Sequence, residues 1–123
     1  MEPGPDRRRF SRVVVSLETS LATTKGEPLS GEVTDLSVVG LGMTTTSEVP
    51  VGTPCRVQIW AGDDVVEVRG SIVRRQGSSL GVRFDEVPYS EFERLRQLLL
   101  RHADEPALID EELTDRLGFV EDS

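Results

Sequence analysis

Residues 56–72 read RVQIWAGDDVVEVRGSI, and their rhythm decides the fold. Val57 and Ile59 alternate with Arg56, Gln58 and Trp60. Gly62, Asp63 and Asp64 interrupt the run, after which Val66, Val68, Gly70 and Ile72 share one face and Glu67, Arg69 and Ser71 the other. A period of two on both sides of a Gly-Asp break is the pattern of a β-hairpin with one dry and one wet face. The rhythm extends in both directions. Upstream, Val13, Val15 and Leu17 alternate with Val14, Ser16 and Glu18; 23–30 reads as a loop marked by Gly26 and Pro28; 31–37 and the threonine-rich 41–49 read as strands joined by a turn at Val38, Val39 and Gly40. Downstream, Gln76, Gly77 and Ser78 turn the chain, and Leu80, Val82 and Phe84 form a last inward face. Six short strands separated by regular turns predict an all-β domain, a small antiparallel barrel or sandwich.

The period then changes to that of a helix. Ser90 and Glu93 have the spacing of a capping box, and Phe92, Leu95, Leu99 and His102 fall on one helical stripe, so this helix is predicted to lie over the barrel or close one end of it. Pro106 can open a further short helix in which Ile109, Leu113 and Leu117 recur at i, i+4 and i+8 before Gly118. The predicted organisation is a flexible arginine-rich arm over 1–12, a barrel plus helix over 13–102 and an acidic, helical tail over 103–123.

The chain has 123 residues and a net charge of −8, unevenly spread. Four arginines, Arg7, Arg8, Arg9 and Arg12, crowd the first twelve residues, whereas beyond residue 102 only Arg116 stands against a row of carboxylates. So acidic a protein lacks the broad basic face that nucleic-acid binding requires. A local knot of guanidiniums on an acidic body suits one compact anion instead. The single cysteine, Cys55, can form no internal disulfide, which implies a reducing, cytoplasmic setting. The N-terminus has no apolar stretch of the kind that makes a secretory signal, and no run approaches the roughly 18 apolar residues of a membrane span. Nothing forms a nucleophile with its base, a metal-ligand cluster or a phosphate-binding glycine loop, so an enzyme is not expected.

Two short motifs carry the functional reading. Arg8-Arg9-Phe10-Ser11-Arg12 is an R-x-x-x-R preceded by Arg7. Asp35-Leu36-Ser37-Val38-Val39-Gly40 is a D-x-S-x-x-G at a strand end, and 22 residues, 13–34, separate the two motifs. Each has a bland reading: an arginine run is commonly a solvated tail, and Asp35 and Ser37 could simply bond to backbone in a turn. Together, in this order, they resemble the PilZ family of cyclic di-GMP receptors, and the resemblance covers about residues 7–100, including Leu80-Gly81-Val82-Arg83-Phe84 and the helix after it. The resemblance implies a six-stranded antiparallel split β-barrel with a C-terminal helix. It implies cyclic di-GMP as ligand, with no cofactor, and Arg8, Arg12, Asp35, Ser37 and Gly40 as ligand residues; Arg7 is positioned to add a third cationic contact.

The chemistry agrees. A guanidinium forks onto phosphate oxygens or onto O6 and N7 of guanine and stacks on a base, which an ammonium does less well. Asp35 can accept from guanine N1–H and N2–H2, Ser37 can donate or accept, and Gly40 allows close backbone approach. Arg74 and Arg75 could face the ligand, although a solvated strand end is the simpler reading. Trp60 lies on the face opposite Val57 and Ile59, which suggests partial burial or a surface role, and Cys55 reads as packed rather than reactive. A separate partner protein would receive the signal, and the domain would act as a monomer or homodimer. A PilZ-like module that has lost nucleotide binding, or a small barrel for single-stranded nucleic acid, are the competing readings; scarce aromatics weigh against the second.

Overall fold

The computed structural model describes residues 12–24, 26, 28–103 and 109. Six strands precede one helix: β1 (Val13–Ala22), β2 (Leu29–Leu36), β3 (Gly40–Thr44), β4 (Pro54–Ala61), β5 (Asp64–Gln76), β6 (Ser79–Glu86) and α1 (Tyr89–His102). The strands close into an antiparallel ring in the order β1-β2-β3-β6-β5-β4. The expected all-β barrel with a C-terminal helix is therefore the fold. Closure matters physically because it leaves no long strand edge unpaired.

The alternation read from the sequence becomes the core. Leu21, Val33, Leu36, Leu41, Met43, Val57, Ile59, Val66, Val68, Ile72, Leu80 and Val82 all point inward and are buried. The two tight hairpins, β4–β5 and β5–β6, have Gly62 and Gly77 at the first loop position with φ of +66° and +63°. A primed two-residue turn needs positive φ there, which only glycine adopts without steric cost.

β4 pairs with β1 only along Thr19–Ala22, so the ring parts towards the β4–β5 hairpin tip. There β5 has no β6 partner before Arg69, which leaves an open strand edge. Helix α1 covers it. The Glu67 backbone N–H donates to a Glu91 carboxylate oxygen at 3.0 Å, and Arg94 donates to the Val65 carbonyl at 3.1 Å. Leu95, Leu98 and Leu99 complete the seal from the helix. Among the described residues, no helix is long and apolar enough to cross a membrane.

Several local expectations need correction. The loop before β2 is shorter than 23–30, because Leu29 and Ser30 already pair with Leu21 and Ser20. β3 stops at Thr44 instead of continuing to 49: the Thr45 hydroxyl donates to the Ser30 carbonyl at 2.9 Å and accepts from the Ser47 N–H at 3.4 Å, turning the chain away. The capping box does not form. Pro88 is the N-cap, with no side-chain cap bond, and Glu93 accepts from Arg96 and Gln97 on its own helix. His102 is exposed instead of sharing the buried stripe, its Nδ1 lying 3.2 Å from the Leu98 carbonyl, and Leu98 takes the inward place. Trp60 is 36% exposed on the outer face, as its alternation suggested. In the predicted tail Ile109 is buried in the common core, whereas Leu113 and Leu117 lie outside the described residues.

Candidate functional site

The chain of inward positions Val33, Asp35 on β2 would, at strict period two, drive a carboxylate into the core. It does not, because β2 carries an extra residue at this point: Val33 pairs with Met43 but Asp35 with Gly42, the adjacent β3 residue. This bulge turns Asp35 outward while Val33 and Leu36 both stay fully buried. Bulges serve this purpose beside functional sites, re-aiming one side chain without disturbing the core.

Asp35 then leans over β3. A Cβ built on Gly42 would sit 2.6 Å from its Oδ2, so only glycine leaves room for the carboxylate in that place. Thr34 Oγ1 approaches the same oxygen at 3.4 Å. On the other side the Arg12 guanidinium donates to Asp35 Oδ1. Their side chains are 58% and 28% exposed, so this ion pair faces water and contributes at most about 1 kcal/mol to stability. It is easily exchanged for another partner. The structure thus brings together one member of each sequence motif, across 23 positions of chain.

The remaining predicted residues divide. Ser37 is 2% exposed, and its hydroxyl is engaged within the β2–β3 turn: it donates to the Gly40 carbonyl at 3.3 Å and accepts from the Val39 N–H at 3.2 Å. Its direct neighbourhood is backbone. Gly40 begins β3 opposite Arg83, where a side chain would run into the Val82 carbonyl oxygen. Both residues shape the hairpin that presents Asp35. Arg7 and Arg8 lie outside the described residues.

Sequence reasoning raised Arg74 as a residue that could face the ligand but favoured a solvated strand end, and did not place it in line with Asp35. Asp35 pairs with Gly42, Gly42 with Gly81, and Gly81 with Arg74, forming one cross-strand row over β2, β3, β6 and β5. Val14, 82% exposed, extends the row on β1. Read across, the outer face offers an apolar side chain, a carboxylate that lies over Gly42 and a guanidinium that lies over Gly81. The clue was present in the sequence: Asp35 follows Val33, and Arg74 follows Ile72, each a charge where the inward rhythm calls for an apolar residue. Cys55 is buried away from this surface, and burial, aided by the Asp85 carboxylate, raises its thiol pKa from 9.0 to about 11.

The architecture is a small closed barrel with a carboxylate and a guanidinium meeting on its outer wall. The chain belongs to the PilZ domain family, whose model matches residues 6–101. Solved structures agree on the fold. The PilZ domain of CeSA from a cellulose-synthesising bacterium is 14% identical, with a TM-score of 0.62 over 74% of this chain and 96% of that one. The PilZ domain of YcgR from Escherichia coli, solved with c-di-GMP, is 16% identical, with a TM-score of 0.65 over 91% and 98%. The Bacillus subtilis inhibitor of motility MotI/DgrA is 14% identical at a TM-score of 0.65, and the match spans 77% of this chain and 50% of that chain. No curated protein is significantly similar in sequence.

Proposed function

We propose that this chain is a cyclic di-GMP receptor that acts as a binding module rather than an enzyme and regulates a separate partner protein. The observation that carries the reading is the Arg12–Asp35 pair, which joins the end of the arginine motif to the outward carboxylate of the hairpin motif. In this reading a guanine displaces Arg12 from Asp35, presenting N1–H and N2–H2 to the carboxylate. Arg12 is released to the ligand's phosphates or base, and Arg8, with Arg7, closes from the same side. Losing an exposed ion pair costs little, whereas ordering a chain segment costs about 1–2 kcal/mol per residue. Several charge-assisted contacts must therefore form together, which makes the closed arrangement dependent on the ligand. The partner reads the surface so created.

Ser37 and Gly40 act in this scheme by holding the hairpin that aims Asp35. The burial of the Ser37 hydroxyl also favours a second reading, a PilZ-like protein-interaction module without nucleotide. Titration of the full chain with cyclic di-GMP, cyclic di-AMP, GTP and a short oligonucleotide separates the two. Selective, saturable binding of cyclic di-GMP is expected; absence of binding to any of the four supports the interaction module.

A further inference from the structure

The row that runs from Asp35 ends in a residue that neither motif contains. Arg74 would point into the core if the inward series Val66, Val68, Gly70, Ile72 simply continued. A second bulge prevents this: Ile72 pairs with Val82 but Arg74 with Gly81, so β5 has one residue more than β6 at Val73, which is 45% exposed. Two independent bulges, on β2 and on β5, thus deliver a carboxylate and a guanidinium to the same outward row.

The Arg74 head group lies back over the sheet. A Cβ built on Gly81 would sit 3.1 Å from both its Nε and its Nη2. Because Gly81 is the direct neighbour of Gly42, which Asp35 covers, the two charged groups stand over adjacent strands, about 4.8 Å apart at the backbone. No ion pair joins them among the described residues, since Arg12 engages Asp35. Arg56, Arg69, Arg75, Arg83, Arg94 and Arg96 each have a carboxylate within ion-pair distance. Arg74 has none among the described residues, nor does Arg101 at the end of α1, but of the two only Arg74 lies beside Asp35. A guanidinium with no ion-pair partner among the described residues, resting over Gly81 beside the Asp35 carboxylate, is a donor placed for a ligand edge.

Resting on the cyclic di-GMP reading, we propose that Arg74 is a base-reading residue of this site: it forks onto O6 and N7 of the guanine whose N1–H and N2–H2 Asp35 accepts. The two residues then read adjacent edges of one base held between their side-chain ends, and adenine, with an amino group in place of O6 and no N1–H, matches neither pattern. An ammonium in place of the fork can donate to O6 or N7 but lacks the planar pair of N–H groups that holds both at a fixed angle.

The test compares cyclic di-GMP with its 7-deazaguanine analogue in calorimetric titrations of the wild type, Arg74→Ala and Arg74→Lys. The wild type should prefer cyclic di-GMP. Arg74→Ala should bind it about ten- to a hundredfold more weakly and should bind both ligands alike, with an unchanged melting temperature. Arg74→Lys should recover part of both the affinity and the preference, because an ammonium can still donate to O6 or N7. Wild-type affinity in Arg74→Ala, or a preference for N7 that survives in Arg74→Ala, overturns the inference. Failure of the wild type itself to bind cyclic di-GMP overturns the underlying reading, and the inference with it.

Discussion

At the scale of single residues the site depends on glycines as much as on charges. Asp35 occupies the space that a side chain on Gly42 would need, with Oδ2 only 2.6 Å from that Cβ position. Gly42→Ala should therefore push the carboxylate off β3 and weaken ligand binding by about tenfold, the scale of one misplaced hydrogen-bonded contact. Unchanged affinity in that variant would show that the carboxylate's seat is immaterial. Cys55 gives a test of packing that does not involve the ligand. Its thiol titrates near 11 because burial disfavours the thiolate, with the Asp85 carboxylate reinforcing the effect. The folded pKa lies above the ordinary 9.0, so the folded state holds its proton more tightly. That contribution to stability is complete below pH 9 and is lost as pH rises from about 9 to about 11. The thiol should resist alkylation at neutral pH until the protein unfolds, and Cys55→Ala should flatten the alkaline decline in stability. Rapid labelling of the native protein at pH 8 would contradict this burial.

At the scale of elements the decisive features are the bulges and the helix that covers the open stretch of β5. The strands themselves were legible because each keeps a strict period over most of its length: Val57 and Ile59, or Val66, Val68 and Ile72, fall inward where alternation puts them. The bulges were legible only indirectly: no turn residue announces them, and their one sign is a charge, Asp35 or Arg74, standing where the inward series calls for an apolar residue. The helix start was misread for a related reason. Ser90–Glu93 satisfies the capping-box spacing, yet the residue that matters is Glu91, whose carboxylate accepts from the backbone of Glu67 on another element. Glu91→Ala should cost about 1–3 kcal/mol, since it leaves a strand N–H without its charged acceptor. Leu99→Ala, truncating a fully buried side chain of the same helix, should cost roughly 2–5 kcal/mol. Chemical denaturation checks both. Equal stability of Glu91→Ala and the wild type would mean that solvent satisfies the β5 edge as well as the helix does.

At the scale of the whole molecule, a closed barrel buries an apolar interior and leaves its outer wall free to hold a row of unlike groups. The two motifs were legible as a pair because both their order and their spacing are written in the chain, and Arg12 does reach Asp35. Arg74 was legible as a residue that could face the ligand, but its place in the same row as Asp35 was hidden because it arises from register between strands far apart in sequence. Beyond the barrel, Ile109 is 1% exposed and packs with the common core, so Ile109→Ala should lower stability by about 2–5 kcal/mol by creating a cavity. No change on denaturation would assign that side chain to a partner instead. The central claim, that Arg12 and Asp35 form the meeting point for cyclic di-GMP, is tested most directly by a calorimetric titration of the full chain beside Arg12→Ala. The account predicts saturable binding to the wild type and at least a hundredfold loss in Arg12→Ala at unchanged melting temperature. Equal affinity for the two proteins, or no binding to the wild type, would contradict it.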